Sequence, residues 1–500
     1  MIGARPDAPP GHDVTETARA RRSERLDWLV VPAMLVLLLW PALWNGFPLI
    51  FPDTGGYLLR ALEGTLTIGR SALYGAFLAA GLPFDFWPNV VIQAAVTVFV
   101  VRVLLRTHGL RDKPGPALLI TLALAALTSL PWYVSQLMPD ILVGLAVLAL
   151  YLIAVRRDAL GPVETLALGV VIALAIASHM GTLALCLGLI ACFGLMRLAD
   201  RRIGLPRPQL AAPALAVAAG VLLGPASNYL IAREFAFTPG GTSFVFGRVL
   251  QDGLIKRYLD EHCPDATVKL CTYASELPGS ADEWLWTYAS PIHKLGGWDG
   301  YAPEARRLIF ATLRLYPAAH ADAAIRDALE QFVSFRTTLS IKRSDNIDAI
   351  ETFARVLSPG ANARFLAARQ QRGQPDVSIL NLVHVPVAAI SLALIGFVAV
   401  RAFSGEVGTG SPQKIRPRKN TQSKFQFHRN GTRSSRRAQR FGAFTGALGA
   451  TVLLALVGNA IVCGVFSNPN DRYQNRLIWV AVLAAALAIA SPVRPRAGPK

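Results

Sequence analysis

Charged side chains are scarce in this chain of 500 residues, because Asp, Glu, Lys and Arg together make up only 16% of it. A soluble domain would carry roughly 25%. Apolar residues reach 53% and the mean hydropathy is +0.40, so an ordinary water-soluble protein is excluded. Acidic residues are the rarer charge, with 32 against 50 basic residues and a net charge of +18. The composition predicts a membrane protein with many spans.

Cysteine is also rare, and no two of the five cysteines have Cys-x-x-Cys spacing. A zinc ribbon or a thioredoxin-like redox site therefore has no support. Cys186, Cys192 and Cys463 lie in apolar runs, where cysteine behaves as a small hydrophobic residue. Cys263 and Cys271 lie eight residues apart in a more polar segment, and they are candidates for a disulfide if that segment faces an oxidising compartment.

Several catalytic motifs are missing as well. The chain has no Gly-x-x-x-x-Gly-Lys phosphate loop, no His-Glu-x-x-His and no Gly-x-Ser-x-Gly. ATP-driven transport, zinc proteolysis and serine hydrolysis therefore lack support. No internal repeat is visible, so an inverted-repeat transporter also has no sequence support.

Long apolar runs are abundant, and runs of about 17 to 25 residues can cross the roughly 30 Å hydrocarbon layer as helices. We predict an all-α polytopic membrane protein of about ten transmembrane helices. The predicted spans are 28–50, 87–105, 116–131, 140–155, 162–178, 181–197, 210–232, 377–401, 441–466 and 476–491.

Lys and Arg are concentrated in alternate connections, which places those connections in the cytoplasm. A mainly helical extracytoplasmic domain is predicted at 233–376, between spans 7 and 8. The basic stretch from Ser411 to Arg440 either serves only to set the topology or also contacts anionic membrane lipids. We expect no nucleic acid as partner. The remaining parts are a cytoplasmic arm 1–27, spans 1–7 in 28–232 with a first outer loop 51–86, span 8 at 377–401, a cytoplasmic linker 402–440, spans 9–10 in 441–491 and a tail 492–500.

The first outer loop begins with Pro52-Asp53-Thr54-Gly55-Gly56-Tyr57, directly after the first span. Pro and Gly indicate a compact turn there, so Asp53 is a candidate catalytic carboxylate and Tyr57 a candidate substrate contact. The rest of the loop has helical amphipathic spacing, with Gly64 to Gly69 as a break, typical of helices that lie on a bilayer. Arg70 contacts either lipid headgroups or a substrate phosphate.

Two further polar residues lie where the outer ends of apolar runs are predicted. Asp140 follows Pro139; it either caps a helix or serves the site, where it would orient an acceptor or help Asp53 hold a divalent cation. His179 lies between two apolar runs and is either hydrogen-bonded structure or a substrate contact. A charged residue deep inside a span would be costly, so both are expected at the surface or beside a polar cavity.

The last outer loop, 467–475, contains Asp471, Arg472 and Tyr473, and Arg476 directly follows it. Positive charge on the outer side opposes the insertion bias. The four-residue spacing places Arg472 and Arg476 on one face of a helix, where they would clamp a phosphate or diphosphate. The alternative is an ion pair of Arg472 with Asp471 or another acid.

These parts resemble the GT-C superfamily of integral-membrane glycosyltransferases, which includes protein O-mannosyltransferases and aminoarabinose transferases of lipid A. The resembling residues are Phe51 to Tyr57, Pro139-Asp140 and Asp471-Arg472-Tyr473. The resemblance implies that Asp53 is the catalytic base and that basic residues hold the phosphate of a polyprenyl-phosphate sugar donor. Many relatives have a second acidic residue near the first, whereas Thr54 and Gly55 follow Asp53 here.

The predicted function is therefore sugar transfer from a polyprenyl-phosphate donor to a glycan, lipid or protein acceptor. The enzyme is expected as a multi-pass protein of the plasma (inner) membrane, with its active site towards the periplasm or exterior. No cofactor is certain, and the divalent cation is left open. The alternatives are a transporter or flippase of lipid-linked saccharide and a non-catalytic envelope assembly protein.

Overall fold

The computed structural model describes residues 14–66, 69–110, 114–198, 206–237, 240–338, 346–374, 376–403 and 429–490. Residues 1–13 of the predicted arm, 404–428 of the predicted linker and the predicted tail 492–500 lie outside the described residues.

In this part of the chain all regular secondary structure is helical, which confirms the all-α class. Short 3-10 helices cover Leu82–Phe84, Arg157–Ala159, Lys269–Glu276, Arg369–Arg372 and Val377–Leu380. The α-helices are α1 (Val14–Asn45), α2 (Pro52–Glu63), α3 (Ala72–Gly81), α4 (Trp87–Thr107), α5 (Pro114–Leu127), α6 (Leu130–Ser135), α7 (Ile141–Val155), α8 (Pro162–Ser178), α9 (Met180–Leu198), α10 (Ala211–Ala232), α11 (Gly241–Gln251), α12 (Leu254–His262), α13 (Ala281–Trp286), α14 (Pro291–Lys294), α15 (Gly297–Leu315), α16 (Pro317–Val333), α17 (Ile347–Val356), α18 (Pro359–Ala367), α19 (Asn381–Phe403), α20 (Arg429–Phe466) and α21 (Asp471–Ala490).

Six helical segments among the described residues are long and apolar enough to cross a membrane. They are Trp87–Thr107, Met180–Leu198, Ala211–Ala232, Val377–Ala402, Gly442–Phe466 and Asp471–Ala490. The other four predicted spans coincide with shorter apolar helices: Leu29–Asn45, Gly115–Leu127, Ile141–Val155 and Pro162–Ser178. The structure thus supports a membrane protein, and the number of ten spans stays a prediction.

Large apolar side chains face outward on several of these helices. Examples are Leu119 on α5, Leu195 on α9, Leu215 on α10 and Ile390 on α19, each about two-thirds exposed or more. Each of these side chains lies on one of the apolar helices named above. Such surfaces are typical of helices in contact with lipid.

Helix α7 lies at the centre, with every residue except Leu142 buried. A helix that is apolar all round belongs in the interior, which explains why this short segment lacks an obvious lipid-facing stripe. It packs closely against α21 at Gly144, where an added Cβ would lie 2.8 Å from the Trp479 ring. This contact sets the spacing of Asp140 and Arg476, each about one turn away along its own helix.

The first outer loop forms the two predicted helices, α2 and α3. Gly64 ends α2 in the left-handed region at φ 67°, a conformation that favours glycine. Helix α2 also packs closely against α17, since an added Cβ at Gly55 would lie 2.9 Å from Ala349 Cα. The loop is therefore held against α17, which fixes the position of Asp53.

Part of the segment after α10 has its own hydrophobic cluster, built around Phe246, Trp284 and Tyr301. The disulfide between Cys263 and Cys271 is present, with Cα atoms 5.7 Å apart. Phe353 of α17 belongs instead to the main core. The predicted domain boundaries at 233 and 376 stay a prediction.

Candidate functional site

A short backbone pairing sets the positions of Asp53 and Asp140. The Leu49 N–H donates to the Ser135 carbonyl at 2.9 Å, and the Leu137 N–H donates to the Leu49 carbonyl at 2.8 Å. The bridge is parallel and joins Leu49 to Gln136. Asp53 and Asp140 each follow the bridge by four residues, so the two segments carry their carboxylates to the same place.

Helix α21 supplies the basic residues from its first two turns. The Asn470 side chain accepts from the Arg472 N–H at 3.0 Å, which satisfies one of the free amides at the helix start. The Gln331 side chain holds Asn470 through two hydrogen bonds of 2.9 Å. Arg472 and Arg476 then face α7 on one side of α21, as the four-residue spacing predicts.

The charged side chains form one continuous network. Arg472 donates from Nε to Asp140 Oδ1 at 3.1 Å, from Nη2 to Asp140 Oδ2 at 2.7 Å and from Nη1 to Asp53 Oδ2 at 3.2 Å. Arg70 donates from Nη2 to Asp53 Oδ1 at 2.6 Å. Arg476 donates from Nη1 to Asp140 Oδ1 at 3.1 Å. We call Asp53, Arg70, Asp140, Arg472 and Arg476 the arginine–aspartate network.

These contacts bear on the alternatives left open by the sequence. Asp140 precedes α7 but makes no capping hydrogen bond, because its carboxylate binds both arginines. Arg472 forms the ion-pair alternative, with Asp140 and Asp53 as partners. Asp471 instead accepts from the Arg336 N–H at 2.9 Å. The phosphate clamp stays a prediction.

Exposure differs sharply within the network. The Asp140 and Arg476 side chains are 0% and 1% exposed, whereas the Asp53 side chain is 21% exposed. Asp53 is thus the carboxylate that a substrate can approach. Each of its oxygens accepts one arginine hydrogen bond and has a further lone pair for another donor.

His179 binds the buried end of the network. Its Nε2 lies 2.9 Å from Arg476 Nη1, and because arginine only donates, Nε2 is the acceptor and Nδ1 carries the proton. Burial, followed by the positive charge of Arg476, lowers the pKa of His179 to about 3. His179 is therefore a neutral acceptor that orients Arg476.

The two predicted tyrosines flank the arginines. The guanidinium carbon of Arg70 lies 5.9 Å from the Tyr57 ring centroid, and that of Arg476 lies 5.2 Å from the Tyr473 ring centroid. All eight predicted site residues are therefore joined in one cluster, although they come from four separate parts of the chain. Their roles in binding and catalysis stay predictions.

The cluster has further contacts that the sequence did not predict. The Arg472 guanidinium lies 3.9 Å from the Phe51 ring centroid, and that of Arg70 lies 5.3 Å from the Trp286 ring centroid. Arg476 also contacts the Cys463 sulfur at 3.7 Å. Phe51 adjoins the Asp53 motif and was within reach of a sequence argument. Nothing in the sequence links Trp286 or Cys463 to it.

A divalent cation would need ligands beyond the two carboxylates. Asp53 and Asp140 both bind Arg472. No group of three or more His, Cys, Asp or Glu residues suited to a metal occurs within the ranges that the structure describes. The divalent cation stays a prediction without a further ligand assigned.

No known protein family, curated protein or solved structure matches this chain.

Proposed function

We propose that the protein is a membrane glycosyltransferase that moves a sugar from a polyprenyl-phosphate donor to an acceptor hydroxyl on the outer face of the plasma membrane. The single observation that carries this proposal is the arginine–aspartate network, in which an accessible carboxylate, Asp53, lies among arginines. Three arginines meet two aspartates there, so the cluster has an excess positive charge. Such a site suits a donor that carries a phosphate together with an acceptor that carries a hydroxyl.

The reaction is a single displacement at the anomeric carbon. The acceptor oxygen attacks that carbon while its proton passes to Asp53, which acts as general base. The bond between the anomeric carbon and the phosphate oxygen breaks, and polyprenyl phosphate leaves with the electron pair. Asp140 does not compete for the proton, because it is buried and bound to Arg472 and Arg476.

The arginines stabilise the leaving group, which gains negative charge as the bond breaks. Arg70 and Arg472 are the network members beside Asp53 with exposed surface, at 16% and 12% of their side chains. Arg476 contacts Asp140 and His179. Because Asp140 also binds Arg472, Arg476 helps to position the carboxylate that holds Arg472. Preformed donors of this kind need no reorganisation during the reaction.

The test is an assay of the full-length protein in detergent. It is incubated with a panel of polyprenyl-phosphate sugars and candidate acceptors, and released polyprenyl phosphate is measured. We expect acceptor-dependent release with at least one donor. A second arm places the protein in vesicles: a flippase would move the intact donor across the bilayer without releasing polyprenyl phosphate, and that outcome would replace the proposal.

A further inference from the structure

Arg60 is a buried cation without a hydrogen-bond partner. The residue is 0% exposed, and none of its three guanidinium nitrogens has a partner. Burial lowers the pKa of Arg60 to about 10, so the group still carries its charge at pH 7. Leaving a buried charge unpaired is expensive, and such a group requires an explanation.

Other buried arginines of the described chain do have counter-ions. Arg248 binds Asp252 and Asp327, Arg472 binds Asp53 and Asp140, and Arg476 binds Asp140. Arg60 differs because none of its guanidinium nitrogens has a hydrogen-bond partner. The missing partner is therefore expected to come from outside the chain.

The surroundings of Arg60 connect it to the proposed site. Asp53, Tyr57 and Arg60 follow one another on α2 at spacings of four and three residues, so they share one face of the helix. Tyr57, Arg70 and Glu234 lie within electrostatic range of Arg60. Arg70 adds a second positive charge, and Glu234 adds a negative charge but accepts no hydrogen bond from Arg60. Of these two arginines of the predicted first outer loop, Arg70 has a carboxylate as hydrogen-bond partner and Arg60 has none.

We propose that Arg60 binds a phosphate group of a ligand, which lies between Arg60 and Arg70. A phosphate matches the flat guanidinium fork and accepts several charge-assisted hydrogen bonds. The identification of this phosphate as that of the lipid donor rests on the proposed function. The anion site itself rests on the buried, unpaired guanidinium.

The experiment measures binding without catalysis, using the full-length protein in detergent. The probes are polyprenyl monophosphate without a sugar, inorganic phosphate and phosphatidylglycerol, which separate the lipid donor, a free anion and a membrane headgroup. The variants are Arg60→Met, Arg60→Lys and the control Arg306→Met, which removes one charge from an exposed position on α15.

We expect Arg60→Met to bind polyprenyl monophosphate about 10- to 100-fold more weakly, the loss that follows removal of a hydrogen bond to a charged group. Arg60→Lys should lie between that variant and the wild type, and Arg306→Met should equal the wild type. Without ligand, Arg60→Met should melt at the same temperature as the wild type or higher, because it removes an unpaired buried charge. A purely structural role predicts a lower melting temperature.

Equal binding of polyprenyl monophosphate by the wild type and Arg60→Met would overturn the inference, as would a wild type that binds none of the three probes. Binding of inorganic phosphate alone, dependent on Arg60, would support the anion site and contradict the lipid donor of the proposed function. If Arg60→Met does not fold, the binding ratio of Arg60→Lys to the wild type decides, with equality counting against the inference.

Discussion

Two charge networks in this protein, each with a buried centre, differ in ways that separate structure from function. In the segment after α10, Arg248 and Arg326 meet Asp252, Asp322 and Asp327. Three aspartates meet two arginines there, and the Asp252 and Asp327 side chains are at most 7% exposed. The network ties α11 to α16, which lie apart in the chain.

The arginine–aspartate network uses the same residue types with a different balance. It has one more arginine than aspartate, and the Asp53 side chain is 21% exposed. A network with more acids than arginines has no positive charge to spare for an anion. The extra arginine and the exposed Asp53 of the arginine–aspartate network leave capacity for an anion and for a proton. Structural ion-pair networks also hold perturbed charged groups, so the excess of arginine and the exposure of Asp53 are the features that point to a ligand.

The largest effect on stability is expected from breaking each network at its most buried acid. Asp140→Asn leaves Arg472 and Arg476 without full compensation, and Asp327→Asn does the same to Arg248. Each should destabilise the protein by about 3–5 kcal/mol, measured by unfolding in detergent. The comparison predicts that Asp140→Asn also abolishes sugar transfer, while Asp327→Asn retains it in the folded fraction. Equal loss of transfer in both variants would remove the distinction.

A smaller effect is expected from pH. The pKa of His179 lies at about 3, below its ordinary value of 6.5. As pH falls below about 6.5, His179 binds a proton in the unfolded chain but not in the folded protein. The free energy of unfolding therefore decreases between pH 6.5 and 3. The slope is at most about 1.4 kcal/mol per pH unit.

Thermal unfolding between pH 7.5 and 5 measures this slope for the wild type and His179→Gln, whose amide oxygen still accepts from Arg476. The variant should lose the His179 share of the pH dependence. An unchanged pH dependence would show that His179 titrates alike in the folded and unfolded chain.

The smallest effect concerns Trp286, a positioning residue that stacks on Arg70. Trp286→Ala removes a cation–π contact of about 0.5–2 kcal/mol, so we expect a few-fold higher KM for the donor with little change in kcat. The matched control is Tyr288→Ala, since Tyr288 lies in the same segment and is 98% exposed. An equal effect of the two substitutions would argue against a role through Arg70.

The sequence predicted which residues would meet but not how they would pair. Alternation of basic loops placed Asp53, Asp140, Arg472 and Arg476 on one side, and the structure has them in contact. The partners of Arg472 could not be predicted, because Asp140 lies 332 positions away and the pairing depends on the Gly144–Trp479 contact between α7 and α21.

Burial was the main quantity that the sequence could not supply. The spacing of the predicted first outer loop is typical of helices that lie on a bilayer, yet Arg60 in α2 is fully buried, because α2 packs against α3 and α17. Helix α7 is also buried, at the centre of the protein. Because protein surrounds it, it can be shorter than a helix that faces lipid along its whole length. Amphipathic spacing gives the face of a helix and leaves open what covers it.

The central claim is that Asp53 accepts the proton of the acceptor, and its most direct test separates turnover from binding in Asp53→Asn. The account predicts that kcat for release of polyprenyl phosphate falls by about 10²–10⁴-fold, while the Kd for polyprenyl monophosphate stays within a few-fold of the wild type. Asp322→Asn, at a side chain 81% exposed on α16, should match the wild type in both. Retained turnover in Asp53→Asn would contradict the account.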